Sequence, residues 1–256
     1  MAENAEVHVL SASLDLPPSQ RGRLWASLSP DERARAERFR FDIHRDRFIV
    51  ARALLREILG ALLGVAARRL AFDYSARGKP SLARPFAAED LRFNLSHADG
   101  LALYAIARGR EVGVDVERVR PLPDAEHIAA RFFSPREQAA LRSLPAVERA
   151  AGFFACWTRK EAFLKATGDG LARRLDAFDV SVVPGLPARL ERVEGDPREA
   201  GRWSLAEVRP APGYVGAVAV AADRTCLPCR EWLPDEEEMG EVALPRAGGG
   251  QPLEAR

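Results

Sequence analysis

Apolar positions along this chain change period several times, and each change marks an element. In Gly113-Val114-Asp115-Val116-Glu117 valines alternate with acids. A strand there turns Val114 and Val116 to the core and puts Asp115 and Glu117 together on the opposite face. Phe93 and Leu95 alternate with Asn94 and Ser96 in the same way, and His97 follows where Asp99-Gly100 begins a turn. The segments 44–63 and 147–167 read as long helices, with Gly64 and Gly168 as their stops. On the second, a turn of about 100° per residue sets Phe153, Trp157 and Leu164 on one stripe, with Lys160 inside it and Glu161 on its flank.

Laid on itself at an offset of 105 residues, the chain brings like onto like. Glu6-Val7-His8-Val9 falls on Glu111-Val112-Gly113-Val114, and Pro18 on Pro123. Ser29-Pro30-Asp31-Glu32 falls on Ser134-Pro135-Arg136-Glu137, each a helix start with Ser as N-cap, Pro next and Glu closing a capping box. Leu70-Ala71-Phe72-Asp73 answers Leu175-Asp176-Ala177-Phe178-Asp179 as a strand entry, and hairpins are expected over 91–107 and 203–221. The expected fold is α+β and pseudo-duplicated, each half a leading strand, two helices and a small, mainly antiparallel sheet. The halves are 1–110 and 111–233, followed by an acidic and then glycine-rich tail, 234–256, expected to be disordered. At this offset Asp115 and Glu117 stand against Leu10 and Ala12, and Glu161 against Arg56. Acids in one half and bases in the other suggest a cleft between them.

Composition narrows the function. In 256 residues, 38 Lys and Arg against 37 Asp and Glu leave a formal charge of +1, so no global basic field points to nucleic acid or an anionic membrane. The longest nearly uncharged stretch, 58–67, is half of what a membrane span needs, about 20 residues. The acidic start is unlike a signal peptide, and three cysteines suit a reducing cytoplasm. Cys226-Leu227-Pro228-Cys229 has the spacing of half a zinc site with no second pair.

Two carboxylates on one strand face repel unless a cation lies between them, and Mg²⁺ prefers carboxylate oxygens together with substrate phosphates. Glu161 and Lys165, four apart, could form a plain helix-surface pair worth about 0.2–0.5 kcal/mol. Lys160-Glu161 beside an apolar stripe, in the same half as Asp115-x-Glu117, favours a site instead. His97, preceded by Asn94 and Ser96, could supply hydroxyl and imidazole donors to a phosphate. Arg45, Arg47, Arg52 and Lys79 are further bases, although Arg77-Gly78-Lys79-Pro80 is not a Walker A loop.

Phe93-Asn94-Leu95-Ser96-His97, Gly113-Val114-Asp115-Val116-Glu117, Phe132-Phe133-Ser134-Pro135-x-Glu137 and Trp157-Thr158-Arg159-Lys160-Glu161-Ala162-Phe163-Leu164-Lys165 form an ordered set. That set resembles the signature of the 4′-phosphopantetheinyl transferases of the surfactin-synthetase-activating type, over about 29–178. The resemblance implies a cytoplasmic, monomeric transferase of pseudo-dimeric fold. It would move phosphopantetheine from coenzyme A to a serine of an apo acyl or peptidyl carrier protein and release adenosine 3′,5′-bisphosphate. It also implies that Asp115, Glu117 and Glu161 hold Mg²⁺ against the pyrophosphate. Glu161, directly or through a water on the ion, is the expected base and Lys165 stabilises the phosphates. Arg47, Arg52, Lys79, Ser96, His97 and Lys160 are the expected coenzyme-binding set. Glu32 stands where some relatives carry a base near the 3′-phosphate, with Arg33 or Arg35 as substitutes. Arg118, Arg120 and Arg131 are candidates for meeting an acidic carrier helix. Two other readings fit the same residues: an Mg²⁺-dependent hydrolase of a nucleotide pyrophosphate, and a non-catalytic module that binds carrier proteins.

Overall fold

The computed structural model describes residues 7–221 and the strand Cys229–Glu231; Cys226 and the tail 234–256 lie outside the described residues. The first half runs β1 (Val7–Ser13), α1 (Pro18–Trp25), α2 (Pro30–Ala36), α3 (Asp42–Leu63), β2 (Phe72–Tyr74), β3 (Pro80–Leu82), β4 (Leu91–Ala98) and β5 (Leu101–Arg108). The second runs β6 (Val112–Arg118), α4 (Ala125–Phe132), α5 (Pro135–Ser143), α6 (Ala146–Thr167), β7 (Phe178–Val180), β8 (Leu190–Val193), β9 (Trp203–Val208) and β10 (Tyr214–Ala221), and β11 is Cys229–Glu231. The long helices begin one or two residues earlier than expected. They end on left-handed Gly64 (φ 64°) and Gly168 (φ 72°), where a side chain would be strained. Ser134 caps α5: its Oγ accepts the Glu137 N–H at 3.2 Å while the Glu137 carboxylate accepts the Ser134 N–H at 2.8 Å.

One sheet has the order β11-β1-β5-β4, antiparallel except for the parallel β1–β11 pair; the other has the antiparallel order β6-β10-β9. Leu10, Ala12, Tyr104 and Ile106 pack on Val50, Leu54 and Ile58 of α3. The opposite faces of β1 and β5 carry Val7, Val9, Leu103 and Ala105, which pack on Val114, Val116, Val218 and Val220 of the second sheet. Two sheets therefore stack face to face with a long helix outside each. This explains why β5 and β10, covered on both sides, read as apolar runs without alternation. Val114 and Val116 face a core as expected. The acid face of β6 is not open surface, because α6 lies on it. A Cβ at Gly113 would sit 2.2 Å from the Ala162 carbonyl oxygen and 2.3 Å from the Ala166 nitrogen, so strand and helix backbones touch where only glycine fits.

The duplication extends to a buried ion pair. Glu32 takes Arg56, whose guanidinium also donates to the carbonyls of Ala67 and Leu70 and lies 4.9 Å from the Phe72 ring. Glu137 takes Lys160 at 2.8 Å, and that ammonium donates to the carbonyls of Leu175 and Phe178 and lies 4.2 Å from the Phe178 ring. The long helices are thus related by an offset of 104, as their glycine stops are, while the leading strands keep 105. The expected pairing of Glu161 with Arg56 is corrected: Lys160 is the counterpart of Arg56, and Glu57 that of Glu161. Among the described residues no helix is long and apolar enough to cross a membrane.

Candidate functional site

β4, the C-terminal half of α6 and the turn at 75–79 bound a cavity of about 250 Å³ lined by Lys79, Asn94, Glu161, Leu164, Lys165 and Gly168. The turn is tied across the halves: Lys79 Nζ reaches Glu111 at 2.7 Å and the Ala166 carbonyl at 2.8 Å. Arg77 lies 3.4 Å from both the Gly168 carbonyl and the Asp169 carboxylate.

Asp115 is buried on β6 behind Lys165, which does line the cavity. Its Oδ1 accepts from Ser96 Oγ at 2.8 Å and from Lys165 Nζ at 2.6 Å, and Lys165 also donates to Ser96 at 2.9 Å. Its Oδ2 is buried with no hydrogen-bond partner. Burial and then the Asp115 charge push both the Glu117 and the Glu161 carboxyls above the ordinary glutamate value, with Lys165 opposing the rise at each. The Asp115 charge therefore bears on both glutamates. Among the described residues no three His, Cys, Asp or Glu side chains are grouped so as to hold a metal ion by themselves. An orphaned carboxylate oxygen flanked by two acids that resist ionisation is nevertheless a donor set short of a cation, and hard oxygen ligands of this kind fit Mg²⁺.

The other expected residues divide. His97 alternates to the far side of β4 from Ser96; its pKa is lowered by partial burial and by the charges of Lys165 and Arg47. Arg47 holds Asp15 bidentately at 2.7 and 2.8 Å near the tip of the β4–β5 hairpin. Two residues are corrected. Arg52 is buried against Glu32 at 2.6 Å, bonds the Tyr74 hydroxyl at 3.0 Å and stacks on Phe72, so its charge is spent inside the first core. Lys160 is fully buried beneath α6 and is likewise spent, on Glu137 and two carbonyls. Its place in an apolar stripe was the signal, since an ammonium survives there only when completely paired.

Glu32 is clamped between Arg52 and Arg56, and the two arginines offered in place of the relatives' base have partners within the first half. Arg33 donates to the carbonyls of Trp25 and Ala26, and Arg35 stacks on Phe48. Arg118 reaches Asp99 at 3.5 Å, and Arg131 stacks on its neighbour Phe132. Sequence reasoning passed over the pair of Arg159 with Glu207 at 2.7 Å and the bond from the Val114 N–H to Asn94 Oδ1 at 2.9 Å. No sequence pattern links these partners, which lie far apart along the chain.

Two family models match the chain: the 4′-phosphopantetheinyl transferase superfamily over residues 111–219, and 4′-phosphopantetheinyl transferase, N-terminal, over residues 18–108. Over 216 residues, 84% of this chain and 88% of the relative, it is 49% identical to the 4′-phosphopantetheinyl transferase HetI of Nostoc sp.. Over 169 residues, 65% of this chain and 73% of the relative, it is 29% identical to the 4′-phosphopantetheinyl transferase Sfp of Bacillus subtilis. Among solved structures, Thermotoga maritima holo-[acyl-carrier-protein] synthase is similar over 44% of this chain and 64% of that one, at 25% identity and a TM-score of 0.35.

Proposed function

The chain belongs to the 4′-phosphopantetheinyl transferase superfamily, and we infer that it transfers the phosphopantetheine arm of coenzyme A to a serine of an apo carrier protein, releasing adenosine 3′,5′-bisphosphate. The observation that carries the site assignment is the cluster of Asp115, Ser96 and Lys165 beside Glu161, with Asp115 Oδ2 buried and unpartnered.

Asp115, Glu117 and Glu161 would hold Mg²⁺, which supplies positive charge against the pyrophosphate oxygens when bound. Glu161, its carboxyl raised by burial, takes the proton of the carrier serine as that oxygen attacks the β-phosphorus. A new P–O bond forms to the serine, the bond from the β-phosphorus to the bridging oxygen breaks, and that oxygen leaves with the adenosine bisphosphate. Lys165 and Lys79, which both line the cavity, bring ammonium groups to the phosphates. Arg47 exchanges Asp15 for a ligand phosphate, and His97 offers a ring N–H at the rim. Ser96 acts chiefly on Asp115, whose Oδ1 it holds. The working unit is a cytoplasmic monomer with lobes 1–110 and 111–233, and the apolar sheet faces are covered within one chain.

Incubation with coenzyme A, Mg²⁺ and a panel of apo carrier proteins tests this. At least one carrier gains the mass of a phosphopantetheine. No gain on any carrier, from folded protein, refutes the assignment, and coenzyme A cleaved without a carrier identifies a hydrolase.

A further inference from the structure

We propose that Asn94 works at both ends of its amide: the carbonyl pins β6 beside Asp115, and the NH₂ is a neutral donor to an oxygen of the anionic ligand in the cleft. The inference rests on the transferase reading above and adds a binding residue to it.

Asn94 is buried on β4, and its Oδ1 accepts the Val114 N–H at 2.9 Å. Only the carbonyl end of a carboxamide can accept that proton, so the contact fixes which way the amide points. The NH₂ end then faces away from β6. It makes no hydrogen bond to any described residue, and Asn94 lines the cavity together with Glu161 and Lys165. Asn94 Nδ2 is also absent from the buried, unsatisfied side-chain atoms, as expected for a group open to the cavity.

The duplication shows that the fold does not require an amide here. Asn94 and Ser96 pair with Ala105 and Leu103 of β5; the matching places on β10, Val218 and Gly216, pair with Ala206 and Val208 of β9. The second half thus manages with two apolar side chains at these positions. The outer edges differ as well. In the first half β11 covers β1 at Val9, whereas at the corresponding Val114 of β6 a side chain supplies the acceptor. A strand would satisfy that N–H equally well, but it would bring no donor to the cleft.

The test measures thermal stability and coenzyme A affinity by calorimetry for wild type, Asn94→Asp and Asn94→Ala, with Mg²⁺ and without carrier. Asn94→Asp keeps an acceptor for Val114 and loses the donor: its Tm stays within a few degrees of wild type while Kd rises about tenfold. Asn94→Ala loses both, so Tm falls and Kd rises. Wild-type affinity in either variant overturns the donor, as does an Asn94→Asp defect that disappears in molar salt, where repulsion alone would be screened. An unchanged Tm in Asn94→Ala overturns the pin. Wild-type protein that takes up no coenzyme A overturns the transferase reading and the donor with it, while the stability measurements still decide the pin.

Discussion

Lys160 and Lys165 stand five residues apart on α6, and their removal should have opposite consequences. The Lys160 side chain is 0% exposed, and its ammonium has three acceptors: Glu137 at 2.8 Å and the carbonyls of Leu175 and Phe178 at 2.7 and 2.6 Å. Lys160→Met removes the cation and leaves the Glu137 charge buried, with only the N–H groups of Ser134 and Val180 to meet it. Breaking a buried pair from one side costs about 3–5 kcal/mol. At about 2–4 °C per kcal/mol for a chain of this size, Tm should fall by roughly 6–20 °C. Lys165 is 30% exposed, and Ser96 remains on Asp115 Oδ1 when it is gone. Lys165→Met should therefore cost less than Lys160→Met, about 1–3 kcal/mol for the buried Asp115 left with one donor, and still abolish transfer. Urea denaturation of both variants, with carrier loading measured on the folded fraction, separates the roles. Adding Glu137→Gln to Lys160→Met removes the stranded charge and should recover part of the loss. A Lys160→Met protein that unfolds at the wild-type urea midpoint would refute the reasoning.

Gly113→Ala places a methyl 2.2 Å from the Ala162 carbonyl oxygen, so β6 must move off α6. The expected cost is about 1–3 kcal/mol, accompanied by weaker Mg²⁺ binding in a titration, because β6 carries Asp115. Burial holds the Glu57 carboxyl above its ordinary value of 4.5, despite the bond from Ser27 and the Arg23 charge. A raised carboxyl binds more protons folded than unfolded, so stability declines as pH rises from about 4.5 through the folded value. Glu57→Gln should be more stable than wild type at neutral pH and show no such gain in melts below about pH 4.5. Without Mg²⁺ the Glu161 carboxyl should titrate above 4.5 by NMR, since burial and the Asp115 charge both raise it, and added Mg²⁺ should bring it down; a value at or below 4.5 without the ion would refute burial as the cause.

Most elements were legible because local chemistry decides them. Gly64 and Gly168 stop helices by their freedom at positive φ, and Ser134 with Glu137 starts one. Asp99, itself at φ 48°, turns the first hairpin with Gly100. That Asp115 and Glu117 share the face of β6 opposite Val114 and Val116 was legible from alternation, but the surroundings of that face were not. Nothing local to Val114-Asp115-Val116 says that α6 covers the acid face, or that Ser96 and Lys165 already hold one oxygen of Asp115. Arg52 was misread for the same reason. An arginine on a helix looks available until the carboxylate packed against it, Glu32, is known to lie twenty residues earlier on another helix. Long-range ion pairs leave no periodic trace in a sequence, so bases that complete a core and bases that await a ligand look alike.

The corrected helix register locates the chemistry more sharply than the motifs do. With Lys160 matched to Arg56, both halves use one scheme to close the base of a long helix: a capping-box glutamate, a buried cation, two carbonyls and a phenylalanine ring. Lys160 therefore belongs to what the halves share. Glu161 also has a partner in kind, since Glu57 is likewise pushed up by burial, but Ser27 occupies Glu57 where Asp115 bears on Glu161. What the second half alone possesses is Asp115 for Leu10, Glu117 for Ala12 and Lys165 for Ala61. Where the first half has two apolar strand residues and one small helix residue, the second has two acids and a lysine, on a backbone that both halves build. The wall proposed for catalysis is thus a matter of three side chains set around a glutamate position that both halves share. Asn94 and Ser96, which likewise lack polar counterparts in β9, orient that wall from the other half.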